Sequence, residues 1–409
     1  MPKVVILGWY GNGNLGDEMI LECMIAELRS LSNSLSFTVM SSSPATTAKI
    51  HSVRSIRRHG GVSVRLQRFK EIVGADLFVL GGGGILTTYG SSELSVLEWL
   101  GPLNLAHELG IPTMTYGVGV EDQWSDSGKK AMSRVLGETD MVCVRDQRSI
   151  DNLTQIGVQS GVVLAADPAI LLPDFCSYHN SRRSKDSPPL VLVFLRHWFV
   201  RQDRTYDEAK WAEFKIQLAG CLDSLVSGRS ALVRFVPMRT SDPVDDDTRV
   251  ATEVLGLMKN GAAVEVLDHV PSPSELLDMV VGSDLVIGMR LHSLIAAASL
   301  GIPAIAINYH PKVRSFMESL QAADWVLEIG ETTREKATDM AFRALDGHYP
   351  RELILREAER MKGLAHMNAE IAIKLLGAAK ARRRHRSLSA FRVIVSRVAS
   401  PSREINTGR

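Results

Sequence analysis

The chain has 409 residues, 45% of them apolar and 23% charged, with a formal net charge of +1. That length exceeds one compact core and supplies apolar side chains for two, while the near-zero charge excludes a global field for nucleic acid, so no nucleic-acid partner is expected. Cys23, Cys143, Cys176 and Cys221 form no close pairs, which excludes a disulfide framework or a cysteine zinc site.

The chain enters a strand at once, at Val4 to Leu7, leaving no room for a charged region and an apolar signal core. No apolar stretch reaches the roughly 20 residues needed to span a bilayer. The expectation is a soluble, cytoplasmic protein whose membrane contact, if any, is peripheral and at the inner face.

After that strand the pattern predicts a helix from Asp17 to Leu31, where Ile20, Cys23, Met24, Leu28 and Leu31 recur at three- and four-residue steps. Strands follow at Phe37 to Met40, Leu77 to Leu80, Thr113 to Tyr116, Met141 to Val144 and Val162 to Leu164, with helices between them near 94–109, 129–136 and 149–156. Such alternation predicts right-handed βαβ units and a mostly parallel sheet. Residues 176–189 are polar and read as a linker. A second α/β block has strands at Leu190 to Leu195, Ala231 to Val236, Ala263 to Leu267, Asp284 to Ile287 and Ala304 to Ile307. Its helices are expected near 211–226, 249–258, 274–281 and 291–300. The domains are therefore 1–175 and 190–345, followed by a helix over 346–376 and a basic tail over 377–409. Two such blocks suggest facing sheets with a ligand cleft between them. The tail reads as a solvated, disordered segment or, in part, as an amphipathic strip for an anionic membrane.

Ligands of open parallel sheets gather beyond the carboxyl ends of the strands, where helix N-termini favour anions. Gly288-Met289-Arg290-Leu291-His292 is such a junction: Arg290 either forks an anion or closes a salt bridge, and His292 is either a proton carrier or a half-buried structural imidazole. The segment Gly8-Trp9-Tyr10-Gly11-Asn12-Gly13-Asn14-Leu15-Gly16-Asp17 lets the backbone approach a ligand, through Asn12 and Gly13 in particular. Its formal Gly-x-Gly-x-x-Gly match lacks the acidic ribose partner of a dinucleotide site. Asp17 either caps the helix or has a hydroxyl-orienting or basic role. Gly81 to Gly84, with Gly82 and Gly83 central, form a second close-approach loop. Arg145-Asp146, Asp167-Pro168-Ala169, Arg196-His197 and Lys312 occupy comparable strand ends.

In this order, Leu80 with the four glycines, Gly101-Pro102-Leu103, Gly117-Val118-Gly119, Val144-Arg145-Asp146, Asp167-Pro168-Ala169, Arg290-Leu291-His292 and Pro311-Lys312-Val313 join the first loop in a set that resembles the polysaccharide pyruvyl transferases, over about Met1 to Leu320. The likeness is greatest to the branch that includes bacterial cell-wall polymer pyruvyl transferases. The resemblance implies two Rossmann-like domains arranged like a GT-B glycosyltransferase, phosphoenolpyruvate as donor, and a pyruvate ketal on a sugar as product. The partners implied are phosphoenolpyruvate and a saccharide acceptor, free or lipid-linked. The chain departs from the pattern at Trp9, where Tyr is frequent, and at Thr87-Thr88, where an acidic residue is often found.

The chemistry fits the residues. Arg290, Arg196 and Arg145 can fork a phosphate or carboxylate. His292 suits general acid/base work, Lys312 stabilises phosphate charge, and Asp17 positions an acceptor hydroxyl. No metal or cofactor is demanded, since Arg and Lys can neutralise the leaving phosphate. The alternative is a nucleotide-sugar glycosyltransferase of the same architecture, but Ala296 stands where such enzymes place a ribose-binding Glu. A third reading is a noncatalytic binding protein that keeps the fold.

Overall fold

The computed structural model describes residues 1–87, 94–122, 124–179, 183–184, 187–198 and 206–382. The predicted basic tail lies outside them from residue 383, as do part of the linker and Thr88.

The first sheet comprises β1 (Lys3–Leu7), β2 (Ser36–Ser41), β3 (Arg54–Arg57), β4 (Leu77–Leu80), β5 (Gly83–Leu86), β6 (Thr113–Val120), β7 (Met141–Val144) and β8 (Val162–Leu164). Its order is β3-β2-β1-β4-β6-β7-β8, with β5 joined to β6. The second comprises β9 (Leu190–Phe194), β10 (Leu232–Phe235), β11 (Val264–Val266), β12 (Leu285–Gly288), β13 (Ala304–Asn308) and β14 (Val326–Glu328), in the order β11-β10-β9-β12-β13-β14. Every pairing between named strands is parallel. Helices cover both faces of such sheets, which is why β1 and β9 read as continuous apolar runs: Val4 to Leu7 and Val191 to Phe194 have no exposed surface. The result is the α/β architecture of two Rossmann-like sheets expected from the alternation.

In both sheets the strand order reverses at the first strand, between β1 and β4 and between β9 and β12. The crevice beyond these reversal points is where ligands of doubly wound sheets bind. The Gly8 to Asp17 segment follows β1, the glycine run follows β4, Arg196 follows β9 and Arg290 follows β12.

Three strands were not anticipated. β3 and β14 are short edge strands, and β5 begins inside the glycine run, whose second half pairs with β6 instead of staying a loop. Helices Pro44–His51, Val62–Val73, Pro311–Ser319 and Arg334–Arg343 are likewise additions. The C-terminal helix Arg351–Arg382 crosses back over the first domain, packing on the helix Leu15–Leu31, the turn Pro168–Leu171, β4 and β6. Ala365, Ala369 and Ala372 give it a flat buried side. Lys362 pairs with Asp174 at 2.8 Å, and the His366 imidazole meets buried Glu27 at 2.6 Å. Among the described residues no helix is long and apolar enough to cross a membrane.

Candidate active site

Three helix N-termini meet over the cleft. Asn14 caps the helix Leu15–Leu31, its side chain accepting from the Gly16 N–H, so Asp17 is left free of the capping role. Arg290 is the N-cap residue of the helix Leu291–Leu300 and puts His292 in its first turn. His310 caps the helix Pro311–Ser319, with Lys312 in its first turn. The N–H groups and dipoles of such ends favour an anion in the space they face.

His292 lies directly on the first helix: a Cβ at Gly16 would fall 2.1 Å from its Nδ1, so glycine there is what lets the ring approach. Its side chain is 14% exposed, and its Nε2 stands 3.6 Å from Asp167 Oδ2. That separation is too long for a hydrogen bond, and Nε2 is buried without a hydrogen-bond partner. Asp167 is the carboxylate within ion-pair distance of it among the described residues. Its Oδ1 accepts from the Ala169 N–H at 3.1 Å and its Oδ2 faces Arg145 Nη1 at 3.3 Å. Burial opposes its ionisation, but His292 and Arg145 hold its carboxyl below the ordinary value.

Asp17 is buried, and a Cβ at Gly83 would approach its Oδ1 to 3.1 Å; Gly83 has φ +94°, a conformation that favours glycine. Gly82 packs on Ile20. Burial, reinforced by Glu18, outweighs the charges of His292 and Lys312 and the Asn14 hydrogen bond, and pushes the Asp17 carboxyl up to about 6. Lys312 has no carboxylate within ion-pair distance among the described residues, and its ammonium lies 5.6 Å from the centre of the Tyr309 ring. Glu121, ion-paired with His310 at 3.3 Å, is held down to about 2: burial would raise it, but His310, Lys312 and Arg145 prevail. Tyr309 receives a hydrogen bond from Arg196 Nη1 at 3.2 Å. Burial would raise its phenol, yet Lys312, Arg196 and Arg290 pull it to about 8.

The arginines divide into two groups. Arg290 donates through Nε to Asp247 at 3.0 Å and through Nη2 to Asp245 at 3.4 Å, and is buried. Its Nε and Nη2 are both taken up by these carboxylates, so of the two readings open in the sequence the salt bridge is the one the structure contains. Arg196 is engaged by Asp245 at 3.1 Å and by Tyr309. Arg239 joins the same carboxylate at 3.1 Å. Arg145 stands apart by its partners and place: it pairs with Asp146 and Asp167, at 3.4 and 3.3 Å, and lines a cavity of about 420 Å³ shared with Asp167, Leu291 and Lys312. Asn12 and Gly13 lie apart from this group, on a separate cavity of about 560 Å³ with Glu18, Thr47 and Arg239. The Asn12 carbonyl accepts from Ser241 Oγ at 2.6 Å, tying the first loop to the second domain.

Thus Asp17, His292, Lys312, Arg145 and the Gly82-Gly83 turn form one neighbourhood, Arg290 and Arg196 brace it, and Asn12 and Gly13 face elsewhere. Sequence reasoning gave no role to Tyr309, Glu121, Asp245 or Asp247. Tyr309 stood three residues from Lys312, and the run Asp245-Asp246-Asp247 after β10 was a visible signal.

A profile of the polysaccharide pyruvyl transferase family matches residues 14–311. The amylovoran biosynthesis protein AmsJ of Erwinia amylovora is 23% identical over 247 residues, 55% of this chain; the chain spans 57% of that relative. Similar solved structures include the UDP-GlcNAc 2-epimerase of Neisseria meningitidis, with TM-score 0.58 and 12% identity, covering 92% of this chain and 99% of that one. A glycosyltransferase of Rickettsia africae has TM-score 0.57 and 13% identity over 92% and 98% of the two chains. At such identities the likeness is one of fold, the GT-B-like pairing of two Rossmann-like domains.

Proposed function

The chain belongs to the polysaccharide pyruvyl transferase family, and from that premise we propose that it moves the pyruvate unit of phosphoenolpyruvate onto two hydroxyls of a saccharide, free or lipid-linked, as a ketal. The observation that carries this reading is the convergence at helix N-termini of Lys312, whose ammonium has no carboxylate within ion-pair distance among the described residues, with His292, whose Nε2 is buried without a hydrogen-bond partner and faces Asp167.

Lys312 and Arg145 hold the donor's phosphate and carboxylate beside His292 and Asp17, the N-termini of Leu291–Leu300 and Pro311–Ser319 adding dipole. His292 as imidazolium delivers a proton to the methylene carbon of the donor, leaving a cationic adjacent carbon. A saccharide hydroxyl attacks that carbon, with Asp17 positioning it and accepting its proton. The carbon–oxygen bond to phosphate then breaks, Lys312 stabilising the departing charge, and phosphate leaves with one proton. A second hydroxyl closes the ketal and returns its proton to the site. One proton ends on the new methyl group and one on phosphate, matching the two lost by the hydroxyls. The scheme draws on no cofactor. The donor is a cytoplasmic metabolite, so the proposed reaction belongs in the cytoplasm.

A nucleotide-sugar donor is less well served: Ala296 is fully buried in the helix Leu291–Leu300 and brings no carboxylate to a ribose. Calorimetric titration of the purified protein with phosphoenolpyruvate and, separately, UDP-GlcNAc tests the assignment. Saturable binding of phosphoenolpyruvate is expected, weakened at least about tenfold in Lys312→Ala and retained in His292→Gln. The latter should lose about 10²- to 10⁴-fold in phosphate release with a saccharide extract of the producing cells. Binding of UDP-GlcNAc with no response to phosphoenolpyruvate would overturn the reading.

A further inference from the structure

The helix Val62–Val73 turns apolar side chains outward. Val62 is 69% exposed, Leu66 64% and Val73 40%, while Glu71 on the opposite face is buried, as is Ile72 at the side. At 100° per residue the three exposed apolar positions fall within about 40° of one another. Arg65 and Lys70, both exposed, lie to either side of that stripe. The wider segment 52–70 contains Arg54, Arg57, Arg58, Arg65, Arg68 and Lys70 and no Asp or Glu. Glu71 is buried and paired with Lys3 and Arg54, and half-exposed Glu98 faces His59 at 3.8 Å.

A solvent-facing apolar stripe flanked by cations is the pattern of a helix that lies in a lipid headgroup layer. We propose that the helix Val62–Val73 docks this protein on an anionic bilayer, with Val62, Leu66 and Val73 entering the headgroup region and Arg65 and Lys70 pairing with lipid phosphates. A second copy of the chain is a poorer occupant, because a two-fold contact along the stripe would set Arg65 and Lys70 close to their own copies. The helix is also coupled to the cleft. Arg68 Nη1 donates to the Arg58 carbonyl at 2.9 Å, and Arg58, whose guanidinium lies against the rings of both Trp9 and Trp99, donates to the Gly8 carbonyl at 3.0 Å. Docking here would bring the first glycine loop towards the membrane. This inference stands on the surface alone and is independent of the donor assignment.

Co-sedimentation of the full chain with phosphatidylcholine vesicles containing about 30% phosphatidylglycerol tests it. Leu66 is exposed, so Leu66→Asp leaves the fold intact and should weaken binding at least about tenfold, while Leu66→Trp should tighten it. Unchanged binding of Leu66→Asp overturns the proposal, as does equal binding to pure phosphatidylcholine. Binding that survives Leu66→Asp but is lost on removal of residues 383–409 would assign the contact to the basic tail, and a dimer split by Leu66→Asp without an effect on vesicles would assign the stripe to self-association; each overturns it.

Discussion

Asp17 shows how the site is held against its own preference for water. Burial comes first among the causes that raise its carboxyl to about 6, from an ordinary value near 4. Between those two values the folded protein binds more protons at this residue than the unfolded chain does. Stability therefore falls as pH rises through that window, and above it the charged form is paid for in full. The shift of about two units corresponds to about 3 kcal/mol. Asp17→Asn keeps a side chain able to hydrogen-bond Asn14 and removes the buried charge. Its melting temperature should exceed that of the parent at about pH 8 and converge with it near pH 4. Phosphate release should move the other way: the parent loses rate as pH falls through about 6, where a proton-accepting carboxylate is protonated, and the variant is slow throughout with that limb absent. A melting temperature at pH 8 below the parent's would show that the carboxylate is stabilised by contacts that outweigh its burial.

At the scale of elements, what was legible in the sequence was whatever repeats locally. The apolar runs of β1 and β9, the periodic helix after β1 and the rule that sites lie beyond strand carboxyl ends suffice to send Asp17, Arg145, His292 and Lys312 to one edge. Hidden were contacts between distant segments and elements too short to carry a pattern. β14 has three residues and β3 alternates two arginines with a single buried Ile56, so neither stands out. The partners of Arg290 lie 43 and 45 residues earlier, on the segment after β10, and nothing local to Arg290 announces them. That segment is itself built around the pair, since Asp247 Oδ2 also accepts the N–H groups of Met238 and Arg239. Removing the guanidinium would leave Asp247 buried without its counter-charge, a loss of about 3 to 5 kcal/mol for pairs of this kind. Arg290→Met should therefore unfold at markedly lower denaturant, and donor affinity should fall only as the folded fraction falls. An unchanged unfolding midpoint with weakened phosphoenolpyruvate binding would return Arg290 to the ligand.

Across the whole molecule two ties set the cleft. One is the contact of the first loop with the second domain, where the Leu15 N–H donates to Met238 at 2.9 Å, Asn14 bridges to Arg239 and Ser241 reaches Asn12. The other is the helix Arg351–Arg382, which leaves the second domain and lies on the first. Ile354, Met361 and Leu376 are among its buried side chains, and Asn368, fully buried, donates to the Ala166 carbonyl at 3.3 Å, one residue before Asp167. Burial of a large apolar side chain contributes about 1.5 to 3 kcal/mol, so these three alone supply about 5 to 9 kcal/mol, comparable with the whole stability of an ordinary domain. A chain ended after Pro350 loses that contribution and also uncovers the apolar surface beneath it, so it should be recovered insoluble or unfold without a cooperative transition. A chain ended after Arg382 keeps every contact described for the helix and should match the parent in melting temperature and in donor titration. Thermal unfolding and calorimetry of the two truncations separate these cases, and a folded, donor-binding chain ending at Pro350 would mean that the first domain holds the cleft without the helix across its back.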